Sequence, residues 1–371
     1  MQYPMKMSKA ADESGDHTVT GPAPERAKMK KDYVSFIILN WNNKKTIFEC
    51  LDSLLIQTYP SLEMIVVDNG SVDRSVDMIE KRYGTQIQLI RNPKNLGFAG
   101  GVNRGLEAVQ GEYVALLNSD ATLEPEWTQE MVKGIQQSST VGMCACKTYL
   151  AGQKTVLDNT GEVICRDCLG LARGRLEKDL GQYDRSDDVL CPSGCAALYR
   201  KKMLEDIGGL DKKFFAYAED IEIGIKGRWL GYTCRYIPTA VAYHHLSRSS
   251  GVLSSLKAYG VERNRLWIMI KCFPIKDLLL SFFYTALRYF YHAYGMVIKK
   301  GPASEYARQF NFLALPWIVL RAHLSTLYHL KHLLSERARF RRKIVLSPKQ
   351  FEELLKKYTV SAKQAALHEL K

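Results

Sequence analysis

Three short apolar runs, each closing on a cluster of Asn, Asp and Ser, limit what this chain can fold into. Val34-Ser35-Phe36-Ile37-Ile38-Leu39 ends at Asn40-Trp41-Asn42-Asn43, and Met64-Ile65-Val66-Val67 at Asp68-Asn69-Gly70-Ser71. Tyr113-Val114-Ala115-Leu116-Leu117 ends at Asn118-Ser119-Asp120, and a fourth run, Ile87-Gln88-Leu89-Ile90, lies between the second and third. Runs this short and this apolar read as buried strands. Between them the pattern turns helical. Ile47, Leu51, Leu54 and Leu55 share a face, Thr46 and Glu49 suit a capping box, and Pro60 would stop that helix. Further helices are expected over 73–82 and through Gly105 to Val109. Strand and helix alternating in this way imply an α/β sheet of largely parallel strands. Ligands of such sheets bind beyond the carboxyl ends of the strands. The polar clusters are therefore expected to line one edge together.

The length of 371 residues suits one large domain or two smaller ones. Residues 1–32 are polar, contain Gly21-Pro22-Ala23-Pro24 and lack an apolar signal core, so they are expected to be disordered. Nine scattered cysteines in a chain of this size read as reduced thiols in the cytosol. Cys165 and Cys168 form a CxxC with Cys191 and Cys195 downstream, but the second pair is CxxxC, a poor match to a zinc site. Of the net charge of +13, most sits at the C-terminal end, where residues 321–371 carry twelve Lys and Arg against four Asp and Glu. A basic tail suits anionic lipid or nucleic acid, and otherwise is a solvated helix face. Two segments, 277–298 and 311–334, are rich in Leu, Phe and Tyr but are broken by Arg288, His292, Pro316 and Arg321. Their apolar pieces are well short of the roughly 18–20 residues a bilayer crossing needs. Helices lying in the membrane interface, or packed in a core, fit better. Glu336-Arg337-Ala338-Arg339-Phe340-Arg341-Arg342-Lys343 sets cations beside apolar groups, as the headgroup layer of an anionic leaflet would favour. The expected place is the cytoplasmic face of a membrane, peripherally bound, with no nucleic-acid partner.

Several of these residues are suited to chemistry. Asp120, with Asn118, could hold Mg²⁺ or Mn²⁺ through oxygen, and that cation would neutralise a diphosphate leaving group. An Asx turn ahead of a helix is the plainer reading. Asp68 and Asn69 could accept from a nucleobase or ribose, or merely shape a turn. Trp41 could offer an aromatic face to a base or sugar, or pack in the core. Asn95 to Gly105 is a glycine-rich turn opening a helix, where backbone N–H groups bind phosphate well. It does not follow the first strand, so the dinucleotide fingerprint does not apply. In Phe214-Phe215-Ala216-Tyr217-Ala218-Glu219-Asp220-Ile221-Glu222, a helix would set Glu219 and Glu222 on one face and Asp220 elsewhere. Carboxylates among rings and like charges have raised pKa values, as a general base for a hydroxyl requires. An acidic helix start favoured by the macrodipole is the alternative. His244 ends a strand-like stretch and could complete a metal shell.

Taken in order, these segments resemble glycosyltransferase family 2, the inverting enzymes of the GT-A fold, from about Val34 to Arg265, and are most similar to its rhamnosyltransferase-like branch. The resemblance implies a mixed, mostly parallel sheet flanked by helices over residues 33–250, and composition adds a helical, basic, membrane-associated region over 251–371. It assigns Asn40, Trp41, Asp68, Asn69 and Gly97 to the nucleotide-sugar pocket, together with Asn118 and Asp120. Asn118-Ser119-Asp120 matches the family's Asp-x-Asp motif, with Asp120, Asn118 and His244 toward a divalent cation. Pro192-Ser193-Gly194-Cys195 resembles the acceptor-side segment, giving Ser193 and Gly194. Glu219-Asp220 matches the Glu-Asp motif whose Asp is the catalytic base. Arg263-Asn264 resembles the pair that begins the family's C-terminal region. Asn118 and Glu222 stand where the family has Asp, and Cys195 replaces a small residue. The implied reaction moves a sugar, rhamnose in that branch, from a nucleoside-diphosphate donor to a glycan or lipid-linked hydroxyl in cell-surface polysaccharide synthesis. A nucleotide-sugar-binding protein without catalysis and a sugar nucleotidyltransferase are the other classes such a sheet could serve.

Overall fold

A computed structural model describes residues 29–245, 254–309 and 314–367. The segment expected to be disordered therefore lies outside the described residues up to position 28, and so does the Ser247–Gly251 turn. The chain enters as β1 (Lys30–Asn40), slightly ahead of the Tyr33 start that the apolar run suggested. It continues through α1 (Ile47–Leu55), β2 (Leu62–Asp68), α2 (Ser75–Tyr83), β3 (Gln88–Arg91), α3 (Gly97–Leu106) and β4 (Gly111–Asn118). Next come β5 (Ala121–Leu123), α4 (Trp127–Gln136), β6 (Val141–Leu150), β7 (Gln153–Asn159), β8 (Glu162–Cys165), β9 (Gly170–Ala172) and β10 (Asp187–Asp188). Then follow β11 (Ala196–Arg200), α5 (Lys201–Ile207), α6 (Glu219–Trp229) and β12 (Thr233–His244). The C-terminal part holds α7 (Ser255–Cys272), α8 (Ile275–Val297), α9 (Gly301–Gln309), α10 (Ala314–Tyr328), α11 (Leu330–Arg341), α12 (Pro348–Lys356), β13 (Thr359–Val360) and α13 (Ala362–Leu367).

The main sheet runs in the order β10-β12-β6-β11-β4-β1-β2-β3. β1, β2, β3 and β4 pair in parallel, β12 pairs in parallel with β6, and β11 is inserted antiparallel between β4 and β6. The expected mixed, mostly parallel sheet is present. β1 explains the continuous apolar runs. Phe36 and Ile38 point into one core cluster with Leu51, Val66 and Trp127, while Ile37 points into the other with Ile65, Val102 and Leu116. Successive strand residues face opposite sides, so a strand covered by helices on both sides is apolar throughout.

Helix ends differ from the sequence expectation in three places. Thr46 is the residue before α1 but makes no cap: its hydroxyl donates to Asn43 Oδ1 and to the Ser119 carbonyl, both at 2.9 Å. α1 ends at Leu55, before Pro60 is reached. α3 starts at Gly97 and leaves Val109 outside.

The core also runs through the boundary placed at residue 250. Trp267, Leu333, Phe340, Phe351 and Tyr358 join the same buried cluster as Ile164, Leu204 and Trp229. The Phe351 ring stacks on Trp229 at 3.8 Å, and β13 adds to β8. Arg265 and Arg288, from α7 and α8, are buried around Asp167 and Glu262, with Arg288 Nε 2.7 Å from Asp167 and Nη2 3.0 Å from Glu262. Among the described residues no helix is long and apolar enough to cross a membrane.

Candidate active site

Parallel register brings the polar clusters to one edge. Asn40 pairs with Asp68 across β1 and β2, and Leu39 with Asn118 across β1 and β4. The first two clusters form a closed lattice. Asn40 Nδ2 donates to Asp68 Oδ1 (2.9 Å) and Ser75 Oγ (2.8 Å). Asp68 Oδ2 accepts from the Gly70 and Ser71 N–H groups, both at 3.0 Å. Asn69 Nδ2 donates to the Gly97 carbonyl (3.0 Å) and its Oδ1 accepts from Asn92 (2.8 Å). Asn40, Asp68 and Asn69 are all buried. Asp68 thus shapes the turn. Trp41 is the open member of this edge at 42% exposure, so it is not a core residue.

Gly97 differs from the expectation of bare N–H groups facing a ligand. It is buried at φ +74°, and a Cβ there would stand 2.3 Å from the Phe215 carbonyl oxygen. Its N–H donates to Asn95 Oδ1 (2.8 Å), and the Ala99 N–H reaches the Phe215 carbonyl at 3.4 Å. Glycine is required here because the donor-side loop and the loop ahead of α6 touch through backbone.

The third cluster meets the end of β12. Asn118 and Asp120 are half-buried at the end of β4. His244 Nε2 lies 3.4 Å from Asp120 Oδ1, and its Nδ1 lies 2.8 Å from Asp158 Oδ2. Burial opposes a charge on His244, yet its contacts with Cys195, Asp120 and Asp158 hold its pKa well above the ordinary histidine value. Asp158 also pairs with Arg175, and Lys257 faces the same group, its pKa lowered by burial and then by Arg175. Asp158, Arg175 and Lys257 were not singled out from sequence. The signal for Asp158 was present: Thr155-Val156-Leu157-Asp158-Asn159 is another apolar run closing on Asp-Asn. It went unused because β7 is antiparallel and bulged against β6, and the pattern does not say that its end meets His244.

The Glu-Asp segment opens α6, as the helical reading required. Asp220 is half-buried, and its Oδ2 accepts from the Gly194 N–H at 3.1 Å while Oδ1 accepts from the Ile221 N–H at 2.9 Å. Ser193 and Gly194 thus stand beside it. Burial raises the Asp220 pKa, and these backbone donors restrain the rise. Glu219 is buried and pushed up to about 8, first by burial and then by the charges of Asp220 and Glu222. Glu219 and Asp220, the two carboxylates expected to be catalytic, thus meet different surroundings, Glu219 the more strongly shifted toward its neutral form. Glu222 goes the other way, lowered against its burial by Lys226 (2.9 Å) and Lys271 (2.5 Å). It is a buried ion-pair residue. Glu162, also missed from sequence, is buried within electrostatic reach of Asp220; desolvation and then that charge raise its pKa well above the ordinary value.

All nine cysteines are buried and free. Burial pushes the thiols of Cys165, Cys168, Cys191 and Cys195 upward, away from the thiolate a zinc site needs. Among the described residues no group of three or more His, Cys, Asp or Glu side chains is arranged to hold a metal ion.

Comparison with known proteins agrees with this geometry. Residues 35–208 match the family described as Glycosyl transferase family 2. An uncharacterized glycosyltransferase of Haemophilus influenzae is 32% identical over 110 residues, which are 29% of this chain and 34% of that protein. Poly-beta-1,6-N-acetyl-D-glucosamine synthase of Staphylococcus epidermidis is 23% identical over 221 residues, 59% of this chain and 52% of that one. The matches thus span about half or less of these relatives' own lengths. The crystal structure of GalNAc-T7 with UDP, GalNAc and Mn2+ superposes with a TM-score of 0.52 at 14% identity, covering 64% of this chain and 48% of that one, a likeness of fold. Residues 35–208 are thus similar to glycosyl transferase family 2, and the fold is GT-A-like.

Proposed function

We propose that the chain is an inverting glycosyltransferase that moves a hexosyl group from a nucleoside-diphosphate sugar to a hydroxyl of a glycan or lipid-linked acceptor in polysaccharide synthesis. The observation that carries this reading is Asp220. It is a carboxylate with a raised pKa at the ligand edge of the sheet, aimed by two backbone N–H groups and set against Ser193-Gly194. Such a group takes the proton of an acceptor hydroxyl as that oxygen attacks the anomeric carbon. The new carbon–oxygen bond forms as the bond to the diphosphate breaks on the opposite face, which inverts the centre. Trp41 offers an open aromatic face for the base or sugar at the same edge. Arg175 and Lys257, beside the Asp158–His244 pair, add positive charge where a diphosphate would depart.

A divalent cation at this edge would meet the Asp120 carboxylate, the Asn118 side chain two residues away and, once deprotonated, His244 Nε2, 3.4 Å from Asp120 Oδ1. Mg²⁺ or Mn²⁺ bound there would neutralise charge on the leaving diphosphate. Asp158 would hold the ring so that Nε2 faces the ion. For the sugar, the motif resemblance favours rhamnose, while the names of the synthase and of GalNAc-T7 bring N-acetylhexosamines into consideration.

A panel of nucleotide sugars, read by product analysis with and without Mn²⁺, tests the whole reading. Asp220→Asn should keep donor binding and lower transfer by about 10²–10⁴-fold, the range for loss of a general base. Transfer at the wild-type rate would remove Asp220 from that role. Asp120→Ala should weaken the Mn²⁺-dependent part of donor binding in a titration. Donor binding without transfer by the wild-type chain would favour a binding protein. Release of pyrophosphate from a nucleoside triphosphate would favour a nucleotidyltransferase.

A further inference from the structure

α8 is amphipathic in the reverse of the usual sense. Its inward face is polar or small: Ser281, Thr285, Arg288 and Gly295 are buried, with Arg288 bound to Asp167 and Glu262. Its outward face carries Leu279, Phe282, Phe283, Phe290, Tyr294 and Val297, and the three Phe are each 63–67% exposed. Steps of three and four keep these residues on one side for most of the helix, about 34 Å at 1.5 Å per residue. α10 shares the apolar outward face, with Trp317, Leu324 and Leu327 exposed, while Ile318, Ala322 and Thr326 are buried. A helix on a water-facing surface does the opposite, so these faces require a second apolar medium.

The surroundings identify that medium. α10 contains no acidic residue, and the only one in α8 is Asp277 near its start. The apolar face of α8 runs into exposed Lys299 and Lys300, and α10 carries exposed Arg321. Exposed Tyr294, Trp317 and Tyr328 are rings of the kind that settle at headgroup level. A second copy would set this cationic rim against itself. We infer that α8 and α10 lie in the surface of an anionic membrane leaflet, their outward faces at the acyl boundary and the flanking lysines and arginines against lipid phosphates. This inference stands on the helices alone and does not depend on the proposed activity.

The test is co-sedimentation of the full chain with vesicles of pure phosphatidylcholine and of equal parts phosphatidylcholine and phosphatidylglycerol. Wild type should pellet with the mixed vesicles, at least tenfold more than with the neutral ones. Phe283→Glu with Phe290→Glu should lose that binding at least tenfold while keeping the wild-type circular dichroism spectrum and melting temperature, since both rings are exposed. Lys299→Gln with Lys300→Gln and Arg321→Gln should lower binding only to the mixed vesicles. Wild type remaining in the supernatant with both vesicles would overturn the inference. So would a wild-type dimer by light scattering that the Glu pair turns into monomer without any change in lipid binding, which would make the face a contact between copies.

Discussion

Glu219 shows what burial does to a carboxyl with no counter-ion. Its Oε1 is buried without a hydrogen-bond partner, and its neighbours in α6 include Asp220 and Glu222. Its pKa of about 8 lies far above the ordinary glutamate value. A folded-state pKa raised in this way gives stability that is complete below the unfolded value and is lost as pH rises through 8. Full ionisation should therefore cost on the order of 5 kcal/mol. Glu219→Gln, which cannot ionise, should melt close to wild type at pH 6 and clearly above it at pH 9. Equal losses of melting temperature in both proteins over that range would show that Glu219 does not titrate there. At this scale the sequence was informative about placement: Asp120, His244 and Asp220 all stand at the carboxyl-end edge of the parallel strands. It did not separate Glu219 from Asp220, because adjacent residues of one helix turn meet different surroundings, one a buried pocket and the other the Gly194 N–H.

Among the elements, the loop ahead of α6 is the most constrained. Phe215, Tyr217 and Ala218 all have positive φ, at 66°, 79° and 64°. Residues with a Cβ hold such angles only when neighbours enforce them. Asn264 in α7 does so, its Nδ2 reaching the carbonyls of Ala216 (2.9 Å) and Tyr217 (2.7 Å). Arg263 donates to the Phe214 carbonyl at 2.5 Å, and Gly97 closes the other side. The loop leads directly into Asp220, so backbone strain and the placement of that carboxylate, the proposed base, are coupled. Gly97→Ala would add a left-handed penalty and a contact with the Phe215 carbonyl, and should destabilise the fold by at least about 2 kcal/mol in urea unfolding. Where the variant still folds, kcat should fall more than donor affinity. An unchanged unfolding midpoint would show that the two loops part freely. The Arg263-Asn264 pair was visible in the sequence as a motif, but its hydrogen-bond partners lie some fifty residues earlier, and no local pattern names them.

Over the whole molecule, the main sheet and the C-terminal helices share one buried cluster. Tyr358 bonds both Asp188 and Arg228, and Arg228 is itself buried beneath the Val189 and Leu190 carbonyls. Removing everything after Lys343 would strip Phe351 from Trp229, β13 from β8 and the hydroxyl partner from Arg228. That truncation should abolish cooperative thermal unfolding rather than release a free GT-A domain. A soluble truncated chain with the wild-type melting temperature would restore the boundary near residue 250. The boundary was drawn from composition, which changes sharply there, whereas domain cores are defined by which buried faces meet.

Sequence alone determined the α/β class, the shared edge of the strand ends and the chemistry offered there. Those features follow from period-two and helical patterning and from polar residues at strand ends, which are local and survive without knowledge of the partner strand. Tertiary structure decided which side chains are sealed and which are available. Asp68 and Asn40 turned inward into a lattice, Trp41 outward, Asp158 behind His244, and α8 took its charged face into the protein and its aromatic face to the outside. Burial and pairing are properties of neighbours distant in the chain. The same residue types therefore become sealed or available only once the packing is known.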